Sequence, residues 1–270
     1  MITREPTNLP PPRGSLGRIG RRVLLACRET GRAGLLFLRS LVAMRFMFTP
    51  RARRELVTQM FMSGIRSLNV ISVVAVFTGM ILALQTGLAL RDFNQEVNIG
   101  TAVMVSMLRE MGPFMTGLIL AACVGSSMAA QLGTMVVSEE IAALELMSID
   151  PVRFLVMPRL IAMAVMTPAL AFYTCILGVV GGGLVGMSQL GVSWTSYIDN
   201  ATRYADVKDL YVGLFKAFLF GLIITIVSCH EGFATEQGAV GVGLATRRAV
   251  IVSFLMILIV GYIVTRLFYV

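Results

Sequence analysis

Long apolar runs separated by short polar breaks dominate the chain after residue 66. The first covers 67–90, SLNVISVVAVFTGMILALQTGLAL, and stops at the polar run Arg91-Asp92-Phe93-Asn94-Gln95-Glu96. The others cover about 101–133, 153–186, 209–229 and 248–268. Each has the length, roughly 18 residues or more, at which an apolar stretch reads as a helix crossing lipid. The pattern therefore predicts five spans. The second run would extend close to 50 Å at ~1.5 Å per residue, beyond the ~30 Å hydrocarbon slab. It must tilt, kink or protrude, and Gly112-Pro113 is the obvious kink. The third run, with Pro158 and Pro168 inside it, reads as one broken or extended span.

The segment before the first span is basic. Thirteen arginines fall between Arg4 and Arg66, out of 23 Lys+Arg in the chain. Residues 1–14 contain Pro6, Pro10, Pro11 and Pro12, lack an apolar signal core, and read as a disordered tail. Residues 15–66 read as amphipathic interfacial or elbow helices, broken at Thr49-Pro50, and 67–270 as the transmembrane domain. On a helical wheel Arg18, Arg21, Arg22, Arg28, Arg32 and Arg39 fall within roughly 120°. Leu24, Leu25, Leu35, Leu36, Leu38 and Val42 supply most of the other side. Such a helix suits a bed of anionic headgroups or a neighbouring subunit.

Lys/Arg-rich segments resist translocation, so the N-terminus is expected in the cytoplasm. Loops 131–152 and 231–247 then lie inside; 91–100, 187–208 and the C-terminus lie outside. Arg153, Arg159, Arg247 and Arg248 flank the inner loops, and Arg91, Arg203, Lys208 and Arg266 the outer segments. This balance leaves the orientation to the N-terminal arginines.

Composition agrees with a membrane protein: 56% of the 270 residues are hydrophobic and only 14% charged, with mean hydropathy +0.80. The net charge of +8 is concentrated before the first span rather than interleaved with stacking aromatics, so nucleic acid is not an expected partner. Cys27, Cys123, Cys175 and Cys229 show no CxxC spacing and read as small buried residues. His230 stands alone without metal-site spacing, and Gly125-Ser126-Ser127 is no convincing nucleophile elbow. No catalytic or metal site is expected. The chain lacks GxxxxGK[ST], so ATP must be handled by another subunit.

Within the spans, Gly117, Ala121, Gly125, Ala129 and Gly133 recur every fourth residue, as do Gly178, Gly182 and Gly186. Small residues at that spacing let another helix approach closely, within one bundle or across a homodimer seam. Arg109, Glu110 and Lys216 lie inside apolar runs, where an ionisable side chain normally faces a cavity or a partner. They read either as snorkelling anchors or as a polar patch that meets a lipid headgroup. In the loop after the second span, Ser138 is expected to cap a short helix from Glu139, and Asp150-Pro151 to end it. Ile141, Leu144 and Met147 form its apolar edge; Glu139, Glu140 and Glu145 supply charge. Such a helix can plug into a groove of a motor subunit or simply connect two spans.

Residues 109–159, REMGPFMTGLILAACVGSSMAAQLGTMVVSEEIAALELMSIDPVRFLVMPR, resemble the central signature of the MlaE/YrbE permeases of MCE-type ABC transporters. Residues 232–250, GFATEQGAVGVGLATRRAV, resemble the family's second signature. The resemblance implies an all-α polytopic permease that forms a homodimer in the bacterial inner membrane, with its C-terminus in the periplasm. It implies phospholipid cargo, a cytoplasmic ABC ATPase that binds ATP-Mg, a periplasmic MCE-domain protein and, as a further candidate, a STAS-domain protein. It places a coupling helix at 136–149 and lipid-cavity charges at Arg109, Glu110 and Lys216. The chain departs from the family pattern at Cys123, where an Arg is expected, at Gln131 (Glu), at Gly261 (Asp) and at Arg247 (Thr). A secondary transporter would show internal repeats, which are not found, and an intramembrane enzyme would need a convergent catalytic set. A non-catalytic scaffold of an envelope complex is the remaining alternative.

Overall fold

The computed structural model describes residues 24, 28, 31–42, 50–93, 95–236 and 238–269. The expected tail over 1–14 and much of the basic segment over 15–49 lie outside the described residues. Helix α1 covers 31–42 and α2 Pro50–Ser63; a tight turn at Ile65–Ser67 leads into α3, Leu68–Arg91. Then follow α4, Ile99–Val137; α5, Glu140–Leu146; α6, Val152–Gln189; α7, Trp194–Arg203; α8, Val207–Phe233; and α9, Gly238–Tyr269. Among the described residues, five helices are long and apolar enough to cross a membrane: the α2–α3 run from Arg53, α4, α6, α8 and α9. The fold is all-α and polytopic, as the apolar runs predict.

All five spans meet in one core. Ile71 of α3, Leu120 of α4, Met163 of α6, Phe220 and Ile224 of α8 and Ile257 of α9 form a continuous buried cluster. In lipid, packing rather than water exclusion holds such helices together, and the small-residue strips supply it. Gly117 faces Phe220 and Ile257, Gly125 faces Ser228 and Ile224, and Gly133 faces Thr235. Ala121 and Ala129 are buried on the same strip. Gly178, Gly182 and Gly186 of α6 face Met107, Tyr197 and the backbone of Gly79. Both strips are thus filled by helices of the same chain. The tightest contact between two spans involves a glycine outside either strip: a Cβ on Gly79 would overlap the carbonyl of Gly178.

Helix α4 is interrupted by two π-helical turns, Met107–Met111 and Ala121–Gly125. The first ends where the sequence places the kink, at Gly112-Pro113. A wider turn there relieves the clash that a proline ring makes with the preceding turn.

Three loop expectations are corrected. Segment 187–208 contains α7, capped by Ser193, whose Oγ accepts from Ser196 N at 3.3 Å. Tyr197 of α7 is buried and donates its hydroxyl to Val179 O at 3.0 Å; burial pushes this phenol far above its usual pKa, keeping it a neutral donor. Segment 231–247 is mostly helical, because α8 runs to Phe233 and α9 begins at Gly238. It lies between two apolar runs and so reads as a loop, but Gly241 and Ala245 lie buried against the bundle, and packing overrides the weak helix propensity of the glycines. Finally, Ser138 does not cap α5. It ends α4, with its Oγ 2.8 Å from Thr134 O, and Glu139 takes the cap position at φ 60°.

Candidate functional site

Arg109, Glu110 and Lys216 converge. Arg109 and Glu110 sit on the π-helical turn of α4, and Lys216 faces them from α8. Lys216 Nζ donates to Glu110 Oε1 at 2.6 Å, to Arg109 O at 2.8 Å and to Thr265 Oγ1 at 2.8 Å. These contacts use all three ammonium protons. Thr265 of α9 lies 2.6 Å from the same Glu110 oxygen. Arg109 Nε pairs with Asp209 Oδ1 at 2.8 Å, and the Tyr269 hydroxyl donates to that oxygen at 2.7 Å. The Arg109 guanidinium stacks 4.5 Å from the Tyr269 ring centroid, a favourable cation–π placement.

The result is two cations and two carboxylates locked between α4, α8 and α9, near the ends of these helices remote from α5. Mutual pairing is what allows charges to persist in an apolar bundle. Exposure sorts them: Lys216 and Asp209 are 1% exposed, whereas Arg109 is 38% and Glu110 43% exposed. Exposure thus separates the three charges that the sequence singles out. Lys216 stands behind the other two, and only Arg109 and Glu110 reach the surface.

Three members of the cluster escape the sequence reading: Asp209, Thr265 and Tyr269. Asp209 is the first residue of the fourth apolar run, and its sequence position alone gives it no partner. Its signal is spacing, since it lies seven residues before Lys216 and so on the same face of α8. Thr265 and Tyr269 share the i, i+4 relation on α9.

At the opposite end of α4, α5 turns only part of its expected edge outward. Ile141 is buried, packing with Leu36, Leu132, Val152 and Phe233, and is unavailable to a partner. Leu144 is half-buried. Leu146, at 87% exposure, and Met147, at 61%, are the apolar side chains presented to the outside; Glu139, Glu140 and Glu145 are exposed around them. On α1 Leu36 and Ser40 are buried, while Leu35, Leu38 and Val42 point away from the protein.

Five apolar helices carrying a matched set of charges define a multi-pass membrane protein. The profile of the Permease MlaE family matches residues 56–267, and the chain belongs to that family. A probable ABC transporter permease protein of Rickettsia prowazekii is 40% identical over 237 residues, covering 87% of this chain and 92% of its own. The intermembrane phospholipid transport system permease protein MlaE of Haemophilus influenzae is 32% identical over 260 residues, covering 94% and 97%. The chloroplastic protein TRIGALACTOSYLDIACYLGLYCEROL 1 of Arabidopsis thaliana is 31% identical over 216 residues, covering 80% of this chain and 62% of its own.

Proposed function

We propose that this chain is the membrane-spanning subunit of an ABC transporter that moves phospholipid between the inner membrane and the outer envelope. The observation that carries this reading is the Arg109–Glu110–Lys216–Asp209 cluster in a chain whose relative is named for intermembrane phospholipid transport. A phosphodiester needs a cation within reach, and Arg109 is the cation of the cluster that reaches the surface. Glu110 and Asp209 hold the two cations in place and offset their charge.

The permease itself does no chemistry. A separate ATPase binds ATP-Mg and docks on α5 through Leu146 and Met147, with the exposed glutamates as a polar rim. A periplasmic MCE-domain protein, and a STAS-domain protein as a further candidate, complete the assembly around a permease homodimer. The chain sits in the bacterial inner membrane with the basic N-terminus in the cytoplasm and the C-terminus in the periplasm.

Native mass spectrometry of the purified permease tests the reading. Wild-type protein should retain phospholipid, and Arg109→Gln should lower occupancy about tenfold, the value of a lost charge-assisted hydrogen bond. Because Lys216 is spent inside the protein, Lys216→Gln should act only through disturbed packing. Wild-type lipid occupancy in Arg109→Gln would rule out the headgroup contact.

A further inference from the structure

The end of the bundle that carries α5 holds a second polar constellation, separate from the cluster above. A cavity of about 310 Å³ opens between α2, the start of α3 and α4, with Arg66, Ser67, Ser127 and Gln131 on its wall. Its lining contains no carboxylate. Ser127 lies 17 residues beyond Glu110, roughly 25 Å along α4, so the two sites do not overlap.

Behind this wall stands Arg159 of α6, 5% exposed. Its Nη2 donates to Gln131 Oε1 at 3.1 Å. Nε and Nη1 have no acceptor among the described residues. A guanidinium so deeply buried, facing a neutral amide, is an uncompensated charge of a kind that proteins normally pair.

Arginine carries only donors, so it dictates how the Gln131 amide is turned: Oε1 toward the guanidinium and Nε2 away from it. Nε2 lies 3.4 Å from Ser127 Oγ on the cavity wall. The polar groups of the cavity wall are therefore Arg66, three serines (Ser63, Ser67 and Ser127) and the amides of Gln59 and Gln131, the latter held donor-outward, with a second positive charge behind. We propose that this cavity binds a phosphate group, with Gln131, Ser127 and Arg66 as its contacts and Arg159 as the residue that orients Gln131 and supplies positive potential. A phosphate offers several acceptor oxygens to converging donors, and guanidinium groups match its geometry. The same chemistry is presented by a lipid headgroup and by free phosphate. The inference stands on these donors alone and does not rest on the Arg109 cluster.

The test uses the full chain in mild detergent, in an Arg109→Gln background that silences the other site. One arm titrates inorganic phosphate, at constant ionic strength with chloride, against the unfolding temperature. The other measures retained phosphatidylglycerol by native mass spectrometry. A phosphate response assigns the free anion, and lipid retention assigns the headgroup. In whichever arm responds, Gln131→Glu should raise the half-saturating concentration about tenfold or more, because it pairs Arg159 internally and removes a donor. Its unfolding temperature without ligand should not fall. Arg66→Gln, at an exposed position, should weaken binding similarly, and it carries the test if Gln131→Glu does not fold. A folded Gln131→Glu protein that binds as its parent does, or no response in either arm, overturns the proposal.

Discussion

Lys216 Nζ donates to the backbone carbonyl of Arg109 at 2.8 Å, and that carbonyl is the one Pro113 leaves without its helical donor. In an α-helix the N–H of residue 113 would bond the carbonyl of residue 109, but proline has no N–H. Two sequence features that look unrelated, a proline in one span and a lysine in another, are therefore parts of one device. Pro113 opens the helix into a π-helical turn, the turn sets Arg109 and Glu110 side by side, and the lysine fills the vacant acceptor. The ammonium in turn holds the Glu110 carboxylate.

The Glu110–Lys216 pair should show strong energetic coupling. Glu110→Ala leaves Lys216 buried with only neutral acceptors, and should cost about 2 kcal/mol or more, less than a wholly buried pair because Glu110 is half-exposed. Adding Lys216→Met removes the stranded charge, so the double variant should lose less than the sum of the single losses, by about 1 kcal/mol or more. Unfolding in mild detergent, followed by the single tryptophan, Trp194, measures the cycle. Additive losses would show that the pair contributes nothing beyond its separate side chains.

Docking on α5 separates from folding of α5. Leu146→Asp should lower co-purified ATPase at least about tenfold, since an apolar interface anchor contributes ~1.4 kcal/mol or more. The unfolding temperature should stay put, because Leu146 is 87% exposed. Ile141→Asp should instead destabilise the permease itself by burying a charge among Leu132, Val152 and Phe233. Undiminished ATPase recovery with Leu146→Asp would move the contact off α5.

Much of this architecture is legible in the sequence because lipid imposes a blunt rule: a span needs a long apolar run, and all five runs became helices. The inward charges are legible for the same reason, since Arg109, Glu110 and Lys216 stand out against apolar neighbours. What escapes is whatever depends on a partner helix. Asp209 stands at the very start of the fourth apolar run, and only the packing of α8 against α4 brings it opposite Arg109. The apolar edge of α5 is visible, but α1 and α6 decide that Ile141 turns in while Leu146 turns out. Segment 231–247 reads as a loop because it lies between two apolar runs, and the burial of Gly241 and Ala245 against other helices leaves no mark in a single sequence.

Topology gives a direct forecast. Five spans following a cytoplasmic N-terminus place Val270 outside, so alkaline phosphatase fused there should be active. Fluorescent protein that matures only in the cytoplasm should stay dark at the same position. The reverse pattern would require an even number of crossings, or a translocated N-terminus despite its thirteen arginines up to Arg66.

The same substitution, glycine to alanine, should have opposite effects at two helical positions. At Gly79 the added methyl would overlap the Gly178 carbonyl. Backbone cannot move aside as a side-chain tip can, so α3 and α6 must separate along their shared face. Overpacking of this kind costs about 1–3 kcal/mol, and more where it parts two helices that only close contact holds together. At Gly243 of α9 a Cβ meets nothing within 4 Å. Alanine there removes backbone freedom from the unfolded chain and should stabilise the helix by about 0.5–1 kcal/mol. Thermal unfolding of both variants in one detergent decides the matter. A Gly79→Ala protein as stable as the wild type would mean that the α3–α6 crossing is not the tight backbone contact described above. A destabilised Gly243→Ala would mean that this face of α9 is covered in the assembled protein, and a second permease subunit would then be the first candidate for the cover.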